Sequence, residues 1–407
     1  MKKLSRYMAA AGLAWLLCAG LAQAQLVSAP ARIQFSPLDI QPARALQTPR
    51  APQSYDAAMA AFQGYIAAKR PLVKNESNLP FLLTHGQKTG KSILMIHGLT
   101  DSPYYMRTLA GIFYLRGYNV VSILVPGHGT KPEDLLKMSL TAWQLETEFG
   151  LSVAQELGDE ISLAGFSTGG ALALDALAKN MHALSHAVAS DAGAISCVHP
   201  KHARPLAGVY LFSPALKISS PKAPLTCLPF FSRFKPWAED APESIVENHP
   251  YRYKKLATNA VCQLYKATLI IDFHRKALMS YIAANKVGVF AVESEADTTV
   301  SPEAVKRFMD ELPGSVDKEL VWYPKSAGIP HAAVTRPESN PLYGELSLRL
   351  DAFLAKRDIA PDVQASTLDL PTLQQLRTLP AAASGERITS SAYYDGGPMP
   401  AVGPLFQ

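Results

Sequence analysis

The residues best suited to chemistry lie in the run GFSTGG, Gly165 to Gly170, where one serine stands between two glycines as G-x-S-x-G. A serine hydroxyl attacks a carbonyl carbon only when a base takes its proton and a tight turn presents its oxygen. Gly165 and Gly169 suit such a turn, because side chains there would clash with the neighbouring strand and helix. The same residues would serve equally if Ser167 merely capped the helix that follows. A second run, ILMIHGLTDSP, sets His-Gly at the end of an apolar stretch. There the backbone N–H of Leu99 could join that of Thr168 in holding an oxyanion, each donor contributing roughly 3–4 kcal/mol to a tetrahedral intermediate. His97 reads as a structural hydrogen-bonder and not as a base.

The elements that must position these groups follow from periodicity. SYDAAMAAFQGYIAAKR has helical spacing, with Tyr55, Met59, Phe62 and Ile66 on one face. From about residue 79 strands and helices alternate. PFLLTH, SILMIHG, YNVVSILVPGHG, EISLAGFS, AGVYLFSPA, NKVGVFAVESEAD and KELVWYP read as strands, and the apolar character of YNVVSILV marks a sheet covered on both faces. Helices are expected at PYYMRTLAGIFYLRG, from Trp143 to Leu157, at TGGALALDALAKN, at PEAVKRFMDEL and at PLYGELSLRLDAFLAK. Such alternation predicts right-handed crossovers and an α/β fold with a mostly parallel, doubly wound sheet. Residues 181–206 and 216–280 interrupt the rhythm, the second with a helix expected near its end.

IHGLTDSPYYMRTLAGIFYLRGYNVVSILVPGHGT, GFSTGG and VESEADTTVSP together resemble the α/β-hydrolase superfamily. The similarity is to the bacterial carboxylesterase and monoacylglycerol lipase group, which is also placed with serine aminopeptidase-like hydrolases, and it spans about residues 79–356. The resemblance implies an eight-stranded, mostly parallel sheet, a helical cap insertion at 216–280, and a Ser–acid–His triad in that chain order. On that pattern Ser167 is the nucleophile and Asp297, after the strand VGVFAVE, is the acid. Glu293 is expected within the strand and Glu295 ahead of the turn. The base must follow the acid, and of ten histidines His331 alone lies beyond Asp297. His128, in PGHGT, reads as structural or rim-forming. In the cap position Phe230, Phe231, Phe234 and Trp237 suit an apolar acyl or aromatic group, and would suit a small core of the cap as well.

The resemblance thus implies cleavage of a small carboxylic ester through an acyl-enzyme, with no cofactor or metal. Ser167 stands where haloalkane dehalogenases and epoxide hydrolases of this fold use Asp. An aminopeptidase or amidase on the same triad is the alternative, with Glu239, Asp240, Glu243 and Glu247 available to hold an ammonium group. A binding protein that has lost catalysis is a third reading.

The ends of the chain point to export. MKKLSR, an apolar stretch too short for a membrane span, and Ala22–Ala24 in AQA read as a signal peptide over residues 1–24. The expected product is periplasmic or secreted, without a stable membrane anchor. Cleavage before Gln25 would remove Lys2, Lys3 and Arg6, three charges of a net +5, and leave too little to argue for nucleic acid. Residues 25–78 form a Pro- and Ala-rich leader and the first helix, and residues 357–407 a Pro-rich tail. Once Cys18 leaves with the signal, Cys197, Cys227 and Cys262 remain, enough for one disulfide. Cys227 with Cys262 is preferred because both lie in one insertion, and Cys197 could replace either. No C-x-x-C or His-rich spacing suggests a metal site.

Overall fold

A computed structural model describes residues 51–357 apart from 191–203, 229 and 241–250. The signal segment, the start of the leader, the tail, Cys197, Glu243 and Glu247 therefore lie outside the described residues. The main sheet has seven strands in the order β1-β3-β2-β4-β5-β8-β9. These are β1 (Phe81–Leu83), β2 (Thr89–Ile96), β3 (Tyr118–Ile123), β4 (Gly158–Phe166), β5 (Leu206–Phe212), β8 (Gly288–Ser294) and β9 (Lys318–Tyr323). Every pairing is parallel except that of β1 with β3. A separate antiparallel ribbon pairs β6 (Trp237–Asp240) with β7 (Lys255–Ala257).

The helices are α1 (Tyr55–Lys69), α2 (Arg107–Leu115), α3 (Leu140–Leu157), α4 (Thr168–Ser190), α5 (Thr258–Ala284), α6 (Pro302–Glu311) and α7 (Tyr343–Lys356). Side chains of successive strand residues point to opposite faces, and two cores result. Leu94, Ile96, Val121, Ile123, Leu163, Val209, Leu211, Val289 and Ala291 meet α1, α3, α4, α5 and α6. Ile93, Met95, Val120, Ala164, Phe166, Tyr210, Phe212, Phe290 and Val292 meet α2 and α7. Both faces are covered, which is why the central strands are apolar without alternation. Helix starts are fixed locally: Ser54, Ser139 and Ser301 accept N–H bonds from Ala57, Ala142 and Ala304.

Two expectations are corrected. Among the described residues the main sheet has seven strands, the runs read as strands in the sequence, and not the eight that the family resemblance implies. Within residues 51–80, ahead of β1, the chain forms α1, where Phe62 is fully buried, and a 3₁₀ turn at Glu76–Asn78. The two remaining strands pair with each other in the insertion. Nor is residues 216–280 a cap throughout. Its long helix α5 runs on to Ala284 and buries Ala260, Leu264, Ala267, Ile271, Leu278 and Ile282 in the same core as α4. Cys227, ahead of that helix, is tied to it by a disulfide with Cys262, the two Cα atoms 4.9 Å apart. Closing a loop across a separation of 35 residues removes on the order of 4 kcal/mol of conformational freedom from the unfolded chain.

Candidate active site

Ser167 follows β4 directly and precedes α4. Its φ of 53° lies in the left-handed region, which costs a non-glycine residue about 1–3 kcal/mol and persists only where neighbours hold it. Here they do. The Ser167 N–H donates to Phe212 O at 3.0 Å, and its carbonyl accepts the N–H groups of Gly170, Ala171 and Ala215 at 3.0, 3.2 and 3.0 Å. The flanking glycines leave room for this turn. A Cβ on Gly165 would lie 2.2 Å from the Gly169 carbonyl, and one on Gly169 would lie 2.0 Å from the Ile96 carbonyl oxygen. The second contact also sets the end of β2, and with it the His97-Gly98-Leu99 turn, hard against the elbow.

Asp297 sits in the turn after β8, with its own N–H bonded to Ser294 O at 3.0 Å. Its Oδ1 accepts the Thr299 and Val300 N–H groups at 2.7 and 3.0 Å, and its Oδ2 lies 2.5 Å from His331 Nδ1. Burial alone would raise the Asp297 pKa. The charge and hydrogen bond of His331, with the Val300 and Thr299 N–H groups, outweigh burial and hold it below the ordinary carboxylate value. Glu295 faces elsewhere, accepting bonds from Trp322 Nε1 and the Lys325 N–H at 2.9 Å each.

His331 opens a 3₁₀ turn, His331–Ala333. Its Nε2 is 2.8 Å from Ser167 Oγ, and its ring packs at 5.0 Å on Phe166. Asp297 at Nδ1 favours the tautomer protonated there, which leaves Nε2 free to accept the serine proton. Ile329, fully buried, anchors the loop, and its carbonyl accepts Ser294 Oγ–H at 2.7 Å. Three segments distant in sequence thus place Ser167, His331 and Asp297 in one hydrogen-bonded line.

The loop after β2 is braced from two sides. Thr100, also left-handed at φ 67°, accepts the Tyr253 N–H on its carbonyl at 2.8 Å. The carboxylate of the adjacent, buried Asp101 takes Arg336 at 3.2 Å and Arg252 at 3.6 Å. Sequence reading missed Asp101, Arg252 and Arg336. Their ion pairs join residues 101, 252 and 336, and no local spacing signals that. Leu99 is half-buried against the core, and neither its N–H nor that of Thr168, first in α4, is engaged by an acceptor among the described residues.

His97 and His128 are buried behind this loop. His97 Nδ1–H donates to Gly98 O at 2.9 Å and its Nε2 accepts the Val125 N–H at 3.0 Å. His128 sits between Gly127 and Gly129, both with positive φ, which turn the chain sharply. Burial pulls His97 down to about 4, and burial plus the charge of His97 pulls His128 down to about 3. Folded values below the unfolded value near 6.5 mean that the unfolded chain takes up these protons first. Stability is therefore full above about pH 6.5 and falls as pH drops toward the folded values, by on the order of 3–5 kcal/mol per histidine at pH 3. Urea unfolding should show a slope between pH 6.5 and 5 that His128→Gln reduces; an unchanged slope would count against this account.

The four aromatics of the insertion differ in their surroundings among the described residues. Phe230 and Phe234 are 71% and 83% exposed, Phe231 is half-buried on one helical turn, and Trp237 packs on the main core under Lys255. Two surface cavities of about 690 and 640 Å³ lie elsewhere, one lined by Glu295, Lys306 and Trp322, the other by Leu72, His128 and Lys137. Glu239 and Asp240 lie on β6, and the directions of their side chains are outside the described set. Among the described residues no cluster of His, Cys, Asp and Glu could hold a metal ion, and no helix is long and apolar enough to cross a membrane.

The chain is similar to several known proteins. A thermostable monoacylglycerol lipase from Bacillus sp. (strain H-257) is 34% identical over 82 residues, covering 20% of this chain and 33% of that lipase, so the chain spans only a third of its length. A carboxylesterase from Bacillus subtilis (strain 168) is 24% identical over 252 residues, 61% of this chain and 88% of the esterase. Among solved structures, a soluble variant of the monoglyceride lipase from Saccharomyces cerevisiae is similar at 17% identity and a TM-score of 0.48, over 68% of this chain and 90% of that one. The family described as serine aminopeptidase, S33, matches residues 87–327, the span that contains the elbow, the turn of Asp297 and the sheet beneath them. By that match the chain belongs to the serine aminopeptidase S33 family of α/β-hydrolases.

Proposed function

We propose that the protein is an exported serine esterase, cleaving small carboxylic esters through Ser167, His331 and Asp297. The observation that carries this reading is the 2.8 Å contact of His331 Nε2 with Ser167 Oγ on a left-handed elbow. Ser167 Oγ attacks the ester carbonyl as His331 takes its proton. The N–H groups of Leu99 and Thr168 hold the oxyanion, and Asp297 stabilises the imidazolium. His331 then protonates the leaving alcohol, and water releases the acyl group by the same steps. The aromatic residues of the insertion, Phe230 and Phe234 among them, support an apolar acyl or aromatic group in the substrate. Export is supported by the basic and apolar start of the chain and by the Cys227–Cys262 bond, since disulfides persist in oxidising compartments.

Esters are preferred to amides here because two of the similar proteins are a lipase and a carboxylesterase, whereas the family's description names an aminopeptidase. A panel of acyl esters of increasing chain length beside aminoacyl amides decides between them. Turnover is expected on the esters, and cleavage confined to the amides would overturn the reading.

A further inference from the structure

Glu293, the last residue but one of β8, is fully buried on the face that Val289 and Ala291 share. An anionic carboxylate there would need a cation or several donors. The neighbouring elements supply few. From the end of β5, Ser213 Oγ–H donates to Oε1 at 3.1 Å, and the Ser294 N–H donates to the same oxygen at 2.8 Å. From β9, the residue in register is Trp322. Oε2 has no donor among the described residues. The charged group that acts on Glu293 is the carboxylate of Asp297, within hydrogen-bonding reach, and beyond it lies His331.

Two carboxyl groups so placed cannot both ionise without strong repulsion. The Asp297 oxygens already serve three N–H donors, from Thr299, Val300 and His331, so the anion belongs to Asp297 and the proton to Glu293. We propose that Glu293 is a positioning residue, a buried carboxylic acid whose proton is donated to Asp297 and holds that carboxylate against His331. The proposal rests on the triad reading above. Burial first, and the charge of Asp297 second, push Glu293 up to about 9, so it keeps its proton across the neutral range. The support continues round to the nucleophile. Ser213, left-handed at φ 40°, is fixed by its N–H to Val292 O at 2.8 Å. Two residues on, Ala215 donates to the carbonyl of Ser167.

The test is the pH profile of kcat and KM on a short-chain ester for the wild type, Glu293→Gln and Glu293→Leu, with fluorophosphonate labelling of Ser167 measured beside it. The wild type is expected to lose kcat along an alkaline limb near pH 9, where ionisation sets two anions face to face. Glu293→Leu, which cannot donate, is expected to lose about tenfold to a hundredfold in kcat with little change in KM. Glu293→Gln keeps a donor and cannot ionise, so it should recover most of that loss and move the alkaline limb upward. A glutamine variant with the wild-type limb overturns the proposal, as does a leucine variant with wild-type kcat. If the leucine variant does not fold, the glutamine profile decides alone. Failure of the wild type to label removes the triad reading and this proposal together, whereas normal labelling with an unchanged glutamine profile removes only the role of Glu293.

Discussion

Ser167→Ala is expected to lower kcat for ester hydrolysis by about five to six orders of magnitude while the protein stays folded. The size of the loss follows from the role of one atom. Without Oγ no acyl-enzyme forms, and what remains is the catalysis that bound substrate and oxyanion donors can give to water. The fold should tolerate the change because the bonds that hold residue 167 left-handed are all made by its backbone N–H and carbonyl, which alanine keeps. Asp297→Asn should cost about ten-thousandfold, since the amide favours the wrong imidazole tautomer. Initial rates on an ester substrate, with circular dichroism and a melting curve for each variant, measure both. Wild-type activity in a folded Ser167→Ala protein would end the nucleophile assignment.

Gly169→Ala should be strongly damaging for a change of a single methyl group. The new Cβ would meet the Ile96 carbonyl oxygen at 2.0 Å, the Ile96 carbonyl carbon at 2.6 Å and the His97 carbonyl oxygen at 2.8 Å. These are backbone atoms of the central strand β2 and the turn after it, so no rotamer change can relieve the contact. The first turn of α4 must then move off the sheet, taking Ser167 out of line with His331. A loss of about 4 kcal/mol or more is expected, at the upper end for single substitutions, with activity lost in whatever protein still folds. Gly64→Ala, on an open face of α1 with nothing within 4 Å of its Cβ, should instead stabilise by up to about 1 kcal/mol. Urea midpoints of the two variants against wild type give the comparison; a Gly169→Ala protein as stable as wild type would show that the elbow has slack.

The comparison of these glycines shows what could be read from the chain and what could not. Apolar strands alternating with helical spacing were enough for a covered, mostly parallel sheet, because burial on both faces removes the polar alternation. G-x-S-x-G after such a strand pointed to the elbow, and chain order left one histidine beyond Asp297. The seven runs read as strands are the seven strands of the main sheet, and the count of eight came from the family resemblance alone. It was not legible that α5, at the end of residues 216–280, packs as a core helix, or that Trp237 and Tyr253 ahead of it join the same core. Composition also did not say which way the insertion aromatics face: Phe230 and Phe234 are exposed, whereas Trp237 packs on the main core.

By itself the sequence determined the α/β alternation, the glycine-flanked serine, and the order of serine, acid and histidine along the chain. These are properties of local spacing and order, and they follow from short-range sterics and burial periodicity. Tertiary structure alone decided that His331 reaches Ser167, that Asp297 and not Glu295 faces His331, and that Glu293 lies buried behind them with no cation paired to it among the described residues. It also decided that Asp101 is shared by Arg252 and Arg336. Each of these depends on contacts between residues far apart in the chain, whose distances are set by how the strands stack and not by any spacing along them.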